Sequence, residues 1–313
     1  MFALTKFWRQ STRVIGIQPP APTSDRHGMA IGTLVRDEAK HIAEWLRFHE
    51  FAGVRAFYLY DDGSTDDTVQ VARAALTTAS LTVIAWDIRI GDARTGLGLH
   101  AQALAFAHCL SNFGGAFRWM AMLDPDEFVV PVRHDGLIEA LNTLDVPQVS
   151  LPWVMFGRNG HKTTPAGGVL ANHLLRARDL RENSAPGTYN TKAIVDPCRV
   201  TAVHVHRMRT DNNLRTWNDT GESYIALNAP RPSKQSNAVL QLNHYYARSD
   251  ADLQTKLAKG GSFTTRLPHR PDVVMRRVAA IEADTIEDRT ALDFIARVNH
   301  RTGRNFFAKP ETK

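Results

Sequence analysis

Short apolar runs alternate with segments of helical periodicity along the first half of this chain. The apolar runs have the length of buried strands and cover residues 29–35, 54–60, 81–86 and 118–123. The segments between them carry apolar side chains at helical spacing and cover residues 38–52, 68–76 and 99–113. Because strands that alternate with helices are joined by right-handed crossovers, the pattern predicts an α/β fold with a Rossmann-like, mainly parallel sheet flanked by helices.

The pattern is less regular after residue 137. Short strands are predicted at residues 149–155, 192–195 and 200–205. From about residue 250 to residue 299 the apolar positions return to helical spacing, and no internal repeat or low-complexity linker divides the chain. We therefore predict an N-terminal extension over residues 1–27, one main domain over residues 28–265 and a helical tail over residues 266–313.

The composition indicates a globular protein. The chain has 313 residues, of which 43% are hydrophobic and 22% are charged, so it is not a disordered protein. Its net charge of +6 is dispersed and forms no basic stripe with interleaved aromatic residues, so we predict no nucleic-acid partner. Its two cysteines, Cys109 and Cys198, are too few for a disulfide framework or a four-cysteine zinc site. These features favour a cytoplasmic enzyme.

The N-terminal extension carries Phe2, Leu4, Phe7 and Trp8 beside basic residues. This apolar segment is too short and too broken for a signal peptide, and the chain has no run of ~18 apolar residues that could span a bilayer. The segment is compatible with peripheral contact at the inner membrane face. The alternative is an ordinary terminus that frays or packs.

Acidic residues follow two of the predicted strands. Asp61 and Asp62 come after the second strand, and Asp124-Pro125-Asp126 follows the fourth. Ligands of open parallel sheets bind at the carboxyl ends of strands. Two carboxylates at i and i+2 can hold one hard divalent cation and leave its other positions to water and phosphate. The alternative is a plain turn, in which Asp and Pro are common.

The order and spacing of several motifs carry a family resemblance. The motifs are Val35-Arg-Asp-Glu-Ala39, Glu44-Trp-Leu-Arg-Phe-His49, Tyr58-Leu-Tyr-Asp-Asp-Gly-Ser-Thr-Asp66, Leu123-Asp-Pro-Asp-Glu-Phe128, Trp153-Val-Met-Phe-Gly157, Lys192-Ala-Ile-Val195, His204-Val-His206 and Leu242-Asn-His-Tyr-Tyr-Ala-Arg-Ser249. Over residues 29–262 the chain resembles nucleotide-sugar transferases of the family-2-like type, and most of all glycosyltransferase family 92 and its bacterial relatives. The resemblance implies a glycosyltransferase A fold, with residues 28–265 as the catalytic domain.

The resemblance also implies a UDP-sugar donor and a Mn²⁺ or Mg²⁺ ion. At the matching positions, Glu38, Asp61 and Asp62 would contact the nucleoside. Arg36 and Ser64, at the same edge of the sheet, are further candidates for binding the nucleotide sugar, and Lys192 could steady its diphosphate as a fixed positive charge. Asp124 and Asp126 would hold the metal and the ribose, with Glu127 supporting them. Two positions depart from the family pattern, because Asp37 stands where Asn is commoner and Pro125 stiffens the turn. Neither departure removes a ligand.

Histidines of the second half are candidates for the metal site and for catalysis. His204 and His206 flank Val205 in a strand-like run and would share one face. We favour His206 as the third metal ligand, because imidazole binds Mn²⁺-like ions alongside carboxylates. The alternative is that one of the pair stacks or hydrogen-bonds a phosphate. Ser64 or Thr65 is predicted as the N-cap of the helix after the second strand.

The catalytic base is less sharply indicated. An inverting transfer needs a carboxylate or His to accept the proton of the acceptor hydroxyl. The candidates in the second half of the chain are His161, Glu182, Asp211, Asp219 and Glu222. His161 follows the predicted acceptor-side strand, so we select it, with Glu127, as the catalytic pair. A purely structural loop His is the alternative.

Together these interpretations predict a metal-dependent glycosyltransferase. It would move a hexose, with galactose favoured by the family, from a UDP-sugar to a glycan or lipid-linked hydroxyl. A nucleotidyltransferase on a similar fold is disfavoured, because no Gly-rich basic loop follows the first strand. A non-catalytic nucleotide- or glycan-binding protein on the same fold is the other alternative.

Overall fold

The computed structural model describes residues 11–180, 187–225, 232–259 and 271–308. The apolar N-terminal residues Phe2, Leu4, Phe7 and Trp8, and the candidate base Glu182, lie outside these ranges. The helices are α1 (Ile42–Phe51), α2 (Thr68–Ala75), α3 (Ala101–Phe113), α4 (Leu137–Leu141), α5 (Gly168–Asn172), α6 (Asp250–Lys259), α7 (Pro271–Glu282) and α8 (Thr290–Thr302). Short 3₁₀ turns cover Gly114–Ala116, Pro197–Arg199 and Pro232–Lys234.

The strands include all those predicted from the apolar runs. They are β1 (Ser11–Thr12), β2 (Ile15–Gly16), β3 (Met29–Val35), β4 (Ala56–Asp61), β5 (Ser80–Ala85), β6 (Gly98–Leu99), β7 (Trp119–Met122), β8 (Glu127–Pro131), β9 (Gln148–Phe156), β10 (Leu175–Ala177), β11 (Thr191–Val195), β12 (Val200–Val203), β13 (Met208–Thr210), β14 (Arg215–Trp217), β15 (Ser223–Ile225), β16 (Leu240–Tyr245) and β17 (Thr285–Glu287).

Ten of these strands form one mixed sheet. Its main path runs β17-β10-β9-β11-β7-β3-β4-β5, and β16 joins both β8 and β9. The predicted parallel pairing is confirmed for β7, β3, β4 and β5. The prediction of a mainly parallel sheet is wrong for the second half, where β11, β10, β17 and β8 pair antiparallel to their neighbours. Parallel neighbours need a long crossover, usually a helix, and the second half contains few helices between its strands.

Helices cover both faces of the parallel strands. Along β3, Met29 and Ile31 belong to the core that contains Phe48 of α1 and Phe294 of α8, whereas Leu34 belongs to the core around α3. Every residue of β3 is buried, which is typical of a strand covered on two sides. This rigid centre carries the loops that follow β3, β4 and β7.

Two element boundaries differ from the sequence prediction. The strand predicted over 200–205 ends at Val203, and residues 204–207 form the turn to β13, in which the main-chain N–H of His204 donates to Arg207 O (3.0 Å). The helical segment predicted over 250–299 is divided among α6, α7 and α8, with β17 before α8. The turn at residues 204–207 and strand β17 are defined by hydrogen bonds to particular partners, which local periodicity does not reveal.

Candidate functional site

The loops after β3 and β4 are joined by hydrogen bonds between their backbones and side chains. The main-chain N–H of Asp37 donates to Ser64 Oγ (3.0 Å), and that of Glu38 donates to Thr68 Oγ1 (2.7 Å). In return, Asp37 Oδ1 accepts the main-chain N–H of Thr65 (2.7 Å). Asp37 has a φ of +53°, a region that Asp and Asn tolerate better than most residues. An Asp can therefore replace the commoner Asn here.

Asp61 and Asp62, the acidic pair at the end of β4, make contacts within the protein. Asp61 Oδ1 accepts the main-chain N–H of Ser64 (3.0 Å), which closes a tight turn. The N-cap prediction for Ser64 or Thr65 is wrong, because α2 begins at Thr68, three to four residues later. Asp62 is fully buried between Arg89 (2.8 Å) and Arg36 (3.6 Å).

The Asp-Pro-Asp turn lies between β7 and β8. Asp124 accepts a hydrogen bond from Gln102 Nε2 (2.5 Å) and lies 3.1 Å from Lys192 Nζ. Asp126 Oδ2 lies 3.4 Å from His244 Nε2 and 3.3 Å from Lys256 Nζ. Burial alone would raise the pKa of Asp126, but the neighbouring His244, Lys256 and Arg248 hold it well below its usual range. Asp126 is therefore an anion at neutral pH.

Glu127 is buried directly behind this turn. Its Oε1 accepts a hydrogen bond from Trp153 Nε1 (2.6 Å), and its Oε2 accepts the main-chain N–H of Asp124 (2.8 Å). Lys192 Nζ lies 3.3 Å from the same Oε2. Burial raises the pKa of Glu127, with Lys192 opposing the rise and Asp124 adding to it. The geometry makes Glu127 a positioning residue for the turn.

Helix α1 holds β8 through two polar side chains. Trp45 Nε1 donates to the main-chain oxygen of Glu127 (2.7 Å). His49 Nε2 accepts the main-chain N–H of Val129 (3.3 Å), and its Nδ1 lies 2.9 Å from Trp45 O. Burial lowers the pKa of His49 to about 3, so the ring is neutral and its Nε2 can accept. The Trp and His of the Glu44–His49 motif therefore fix the backbone that carries Glu127.

Replacement of His49 by glutamine is expected to flatten the pH dependence of stability. The pKa of His49 is about 3 in the folded protein and near 6.5 in the unfolded chain, so its stabilising contribution is complete above pH 6.5 and is lost progressively as pH falls toward 3. The wild-type free energy of unfolding should therefore fall more steeply than that of His49→Gln, by up to about 1.4 kcal/mol per pH unit. Urea unfolding between pH 5 and 8.5 measures both slopes.

The internal control for this prediction is the interval from pH 7.5 to 8.5. There His49 is neutral in both states, so the two stability curves should run parallel. Parallel curves below pH 6 would contradict the assignment of a neutral, buried imidazole to His49.

The two predicted metal-site histidines lie in the turn between β12 and β13. The main-chain N–H of His206 donates to His204 Nδ1 (3.1 Å), and the His206 ring packs edge-on against Trp153. Burial lowers the pKa of both rings, with Lys192 and Arg207 acting in the same direction, and that of His204 falls to about 4. Both rings are thus neutral, which is the form that binds metals.

His161, Asp211, Asp219 and Glu222 are not brought to the Asp-Pro-Asp turn. His161 Nε2 lies 3.1 Å from Asn172 O, and its ring packs against His173. Asp211 pairs with Arg199 (2.8 Å). Glu222 pairs with Lys234, and Asp219 accepts main-chain N–H groups at the start of β16. These four residues do not line the cleft at the carboxyl ends of β3, β7 and β16.

A cleft of about 590 Å³ opens at the carboxyl ends of β3, β7 and β16. The predicted site residues that line it are Arg36, Glu38, Asp124, Asp126 and His206. Two other cavities are smaller, at about 200 and 170 Å³. A cleft of this size, with a few convergent polar groups at strand ends, is typical of a small-molecule site. Among the residues that the structure describes, no three His, Cys, Asp or Glu side chains are grouped so that they could hold a metal ion.

The sequence model of glycosyltransferase family 92 matches residues 26–260, which is more than half of the chain. The chain belongs to glycosyltransferase family 92. This family assignment confirms the resemblance seen in the motifs.

Plant members of family 92 are similar to this chain over part of their length. A family 92 protein of Ricinus communis is 27% identical over 161 residues, which are 48% of this chain and 26% of that protein. A family 92 protein of Oryza sativa subsp. japonica is 24% identical over 155 residues, 48% of this chain and 25% of that protein. A family 92 protein of Arabidopsis thaliana is 22% identical over 163 residues, which are 48% of this chain and 27% of that protein. The matched segments thus cover about a quarter of these relatives.

The cleft of this family 92 chain also contains Arg248, which the sequence analysis did not select. Arg248 Nη1 lies 3.1 Å from Glu38 Oε2, and its Nη2 donates to the main-chain oxygen of Pro125 (2.8 Å). Its guanidinium therefore connects the loop after β3 to the Asp-Pro-Asp turn. The one available signal was the dense run of polar and aromatic residues in the 242–249 motif, which also supplies His244 and Tyr246 to the cleft.

Within the ranges that the structure covers, every helix is too short or too polar to cross a bilayer.

Proposed function

We propose that this family 92 chain transfers a hexose, with galactose favoured, from a UDP-sugar to a hydroxyl of a glycan or lipid-linked acceptor. The observation that carries the proposal is the cleft at the strand ends, which Asp124, Asp126 and Arg248 line together. A fixed cation suits a bound diphosphate whose charge grows as the sugar leaves, and the carboxylates suit the divalent cation that would accompany it. If the acceptor is lipid-linked, the corresponding setting is the cytoplasmic face of a membrane.

The donor's nucleoside would lie against the two loops that follow β3 and β4. Arg36 and Glu38 line the cleft there, while Asp61, Asp62 and Ser64 hold the loops that present them. We therefore propose that Arg36 and Glu38 contact the nucleoside and that the other three residues support the loops. Lys192 faces the carboxylates of the turn, so we assign it no direct contact with the diphosphate.

The residues of the Asp-Pro-Asp turn fit a divalent cation that binds together with the nucleotide sugar. Asp124 and Asp126 supply hard oxygen ligands, and the buried His206 Nδ1 lacks a hydrogen-bond partner among the described residues. Mn²⁺ or Mg²⁺ held by one or two carboxylates takes its remaining ligands from phosphate and water. When bound, the ion would stabilise the negative charge of the departing UDP.

The acceptor would lie against aromatic side chains that line the same cleft. Trp153 and Tyr246 both line it, and Lys256 Nζ stands 3.8 Å from the Tyr246 ring centroid. Aromatic rings offer apolar faces to sugar rings, while nearby polar groups fix the orientation of hydroxyls. The Trp153 ring is held in place by its bond to Glu127.

Calorimetry with UDP-galactose, UDP-glucose and UDP alone, each with Mn²⁺, Mg²⁺ or EDTA, tests the proposal. We expect metal-dependent binding by the wild type and its loss in Asp126→Ala. The matched control is Asp272→Ala, an aspartate half-exposed on α7, which should bind as the wild type does. Donor binding without hexose transfer to any of a panel of glycan acceptors would indicate a non-catalytic nucleotide-binding protein, and no binding at all would refute the donor assignment.

A further inference from the structure

A second pocket, of about 200 Å³, lies beside the cleft and shares His204 and His206 with it. Sites for drug-sized ligands usually occupy about 300–1,000 Å³, so this pocket fits one ring of a ligand and not a whole nucleotide sugar. We call it the side pocket. Its uncharged polar lining consists of Gln148, Ser150, Thr191, Thr216, Tyr224 and Gln235.

Strands β9 and β11 supply one part of this lining. Ala193 of β11 pairs with Ser150 of β9, and alternate side chains of a strand share a face. Gln148, Ser150 and Thr191 therefore project from the same face of the sheet, and each is at most 6% exposed. Buried strands usually carry apolar side chains, so a polar face inside the protein calls for a specific reason.

The hairpin of β14 and β15 supplies another part of the lining. Thr216 and Tyr224 are direct cross-strand partners, so their side chains lie on one face of the hairpin. The Tyr224 hydroxyl accepts a hydrogen bond from Gln235 Nε2. Gln148 Nε2 donates to the main-chain oxygen of Arg215 (3.0 Å), which joins β9 to the hairpin. These bonds fix the walls of the side pocket in position.

The side pocket contains polar groups that the protein itself does not use. Among the described residues, the hydroxyls of Thr191 and Thr216 make no hydrogen bond, and neither does the buried Gln235 Oε1. Buried polar groups normally have a partner, either in the protein or outside it. A hydroxyl can donate and accept, and an amide oxygen can accept. These groups are therefore available to a ligand that carries several hydroxyls.

The charged residues of the side pocket are its more exposed ones. Arg207 is partly exposed and Arg209 is exposed, and no Asp or Glu of the described ranges lines the pocket. It therefore lacks the carboxylates that hold a hard divalent cation. Met208 and Leu214 add apolar surface. Hydroxyl and amide groups beside apolar side chains suit a neutral sugar ring, which offers both hydroxyls and C–H faces.

We infer that the side pocket binds one neutral pyranose unit of the acceptor glycan, next to the unit that receives the transferred sugar. The inference rests on the proposed function, because the transfer would occur in the cleft that shares His204 and His206 with the side pocket. The His206 ring also packs edge-on against Trp153, the ring proposed to contact the acceptor. The side pocket thus selects acceptors of at least two sugars, and Thr191 and Thr216 determine this specificity.

The first test measures sugar binding without any nucleotide. The probes are neutral disaccharides of glucose, galactose, mannose and N-acetylglucosamine and the methyl glycosides of the same sugars, titrated by saturation-transfer difference NMR. We expect the wild type to bind at least one disaccharide about tenfold more tightly than either of its units, because the second ring adds its own hydrogen bonds.

Thr216→Val removes one unused hydroxyl and keeps the shape of the side chain. It should weaken binding of that disaccharide about three- to tenfold, the effect of one lost hydrogen bond, without lowering the free energy of unfolding in urea. A hydroxyl with a purely structural role would give the reverse result. The matched control is Thr201→Val on an exposed position of β12, which should bind sugars as the wild type does.

The second test fills the side pocket. Ala202 lines it and is partly exposed, so Ala202→Leu places a larger side chain there with little strain on the core. We expect this variant to bind the disaccharide at least about tenfold more weakly, because the leucine occupies the space of the sugar. Its affinity for UDP, measured by calorimetry, should stay that of the wild type. Thr201→Leu, at the preceding position of the same strand, is the control for the added bulk.

Unchanged disaccharide binding in both Ala202→Leu and Thr216→Val, shown to be folded by far-UV circular dichroism, would overturn the inference. Failure of the wild type to bind any neutral disaccharide would overturn it as well. Binding of uronate-containing disaccharides alone, lost in Arg209→Ala, would overturn the choice of a neutral sugar. If no UDP-sugar binds but Ala202→Leu still loses disaccharide binding, the proposed function fails while the side pocket remains a sugar site. The two failures are thus distinguishable.

Discussion

Glu127→Ala should lower the free energy of unfolding by about 3–5 kcal/mol, the usual result of removing one partner of a buried ion pair. Glu127 is fully buried and accepts hydrogen bonds from Trp153 Nε1 and from the main-chain N–H of Asp124. Its Oε2 also lies 3.3 Å from Lys192 Nζ. The alanine variant leaves the Trp153 and Asp124 N–H groups without this acceptor, removes one of the two carboxylates that face Lys192, and opens a cavity beside the turn. Urea unfolding at pH 7.5 measures the loss.

The matched control is Glu127→Gln, which keeps the volume of the side chain. Its amide oxygen can still accept from Trp153, but its NH₂ group cannot accept from Asp124 or pair with Lys192. We expect a smaller loss of stability than for alanine. A loss below about 1 kcal/mol in Glu127→Ala, the level of an ordinary surface pair, would contradict the structural role of Glu127.

Arg248→Ala should reduce the proposed hexose transfer by about 100-fold, the effect expected when a catalytic group is displaced by about an ångström. Arg248 joins Glu38 Oε2 (3.1 Å) to Pro125 O (2.8 Å), so its loss frees the Asp-Pro-Asp turn from the loop after β3. It also removes a charge that lowers the pKa of Asp126. Steady-state kinetics with the donor identified by calorimetry measures the change in kcat and in donor KM.

Two variants control the Arg248 experiment. Arg276→Ala removes an exposed arginine that pairs with Asp272 on the same helix, and it should leave transfer unchanged and stability within about 1 kcal/mol. Arg248→Lys keeps the charge but lacks the planar fork that reaches two acceptors. Full activity of Arg248→Lys would show that Arg248 acts through its charge and not by connecting the two loops.

The motif at residues 44–49 shows what hydrophobic periodicity can predict and what it cannot. Its apolar spacing is sufficient to predict a helix, because helical amphipathicity is a local property. The same spacing cannot reveal that Trp45 Nε1 meets Glu127 O or that His49 Nε2 meets the N–H of Val129. These partners lie 80 or more residues away along the chain and are brought close by the sheet.

Lys192 shows the same limit within the site. The apolar pattern predicts its strand, and sequence order alone suggests that its ammonium lies near the diphosphate of the donor. The pairing of β11 with β9 and β7 decides instead that its ammonium faces Asp124 and Glu127. In a strand the side chain alternates between two faces, so the neighbouring strand determines which groups it meets.

By itself the sequence determined the elements of the first half, the position of the acidic residues at strand ends and the family to which the chain belongs. These follow from local periodicity, turn chemistry and the order of motifs. Only the tertiary structure decided that the second half pairs mainly antiparallel, that Asp62 is buried between two arginines, and that Arg248 reaches the Asp-Pro-Asp turn. Strand order and the partners of buried charges depend on contacts between distant segments, and local patterns do not encode them uniquely.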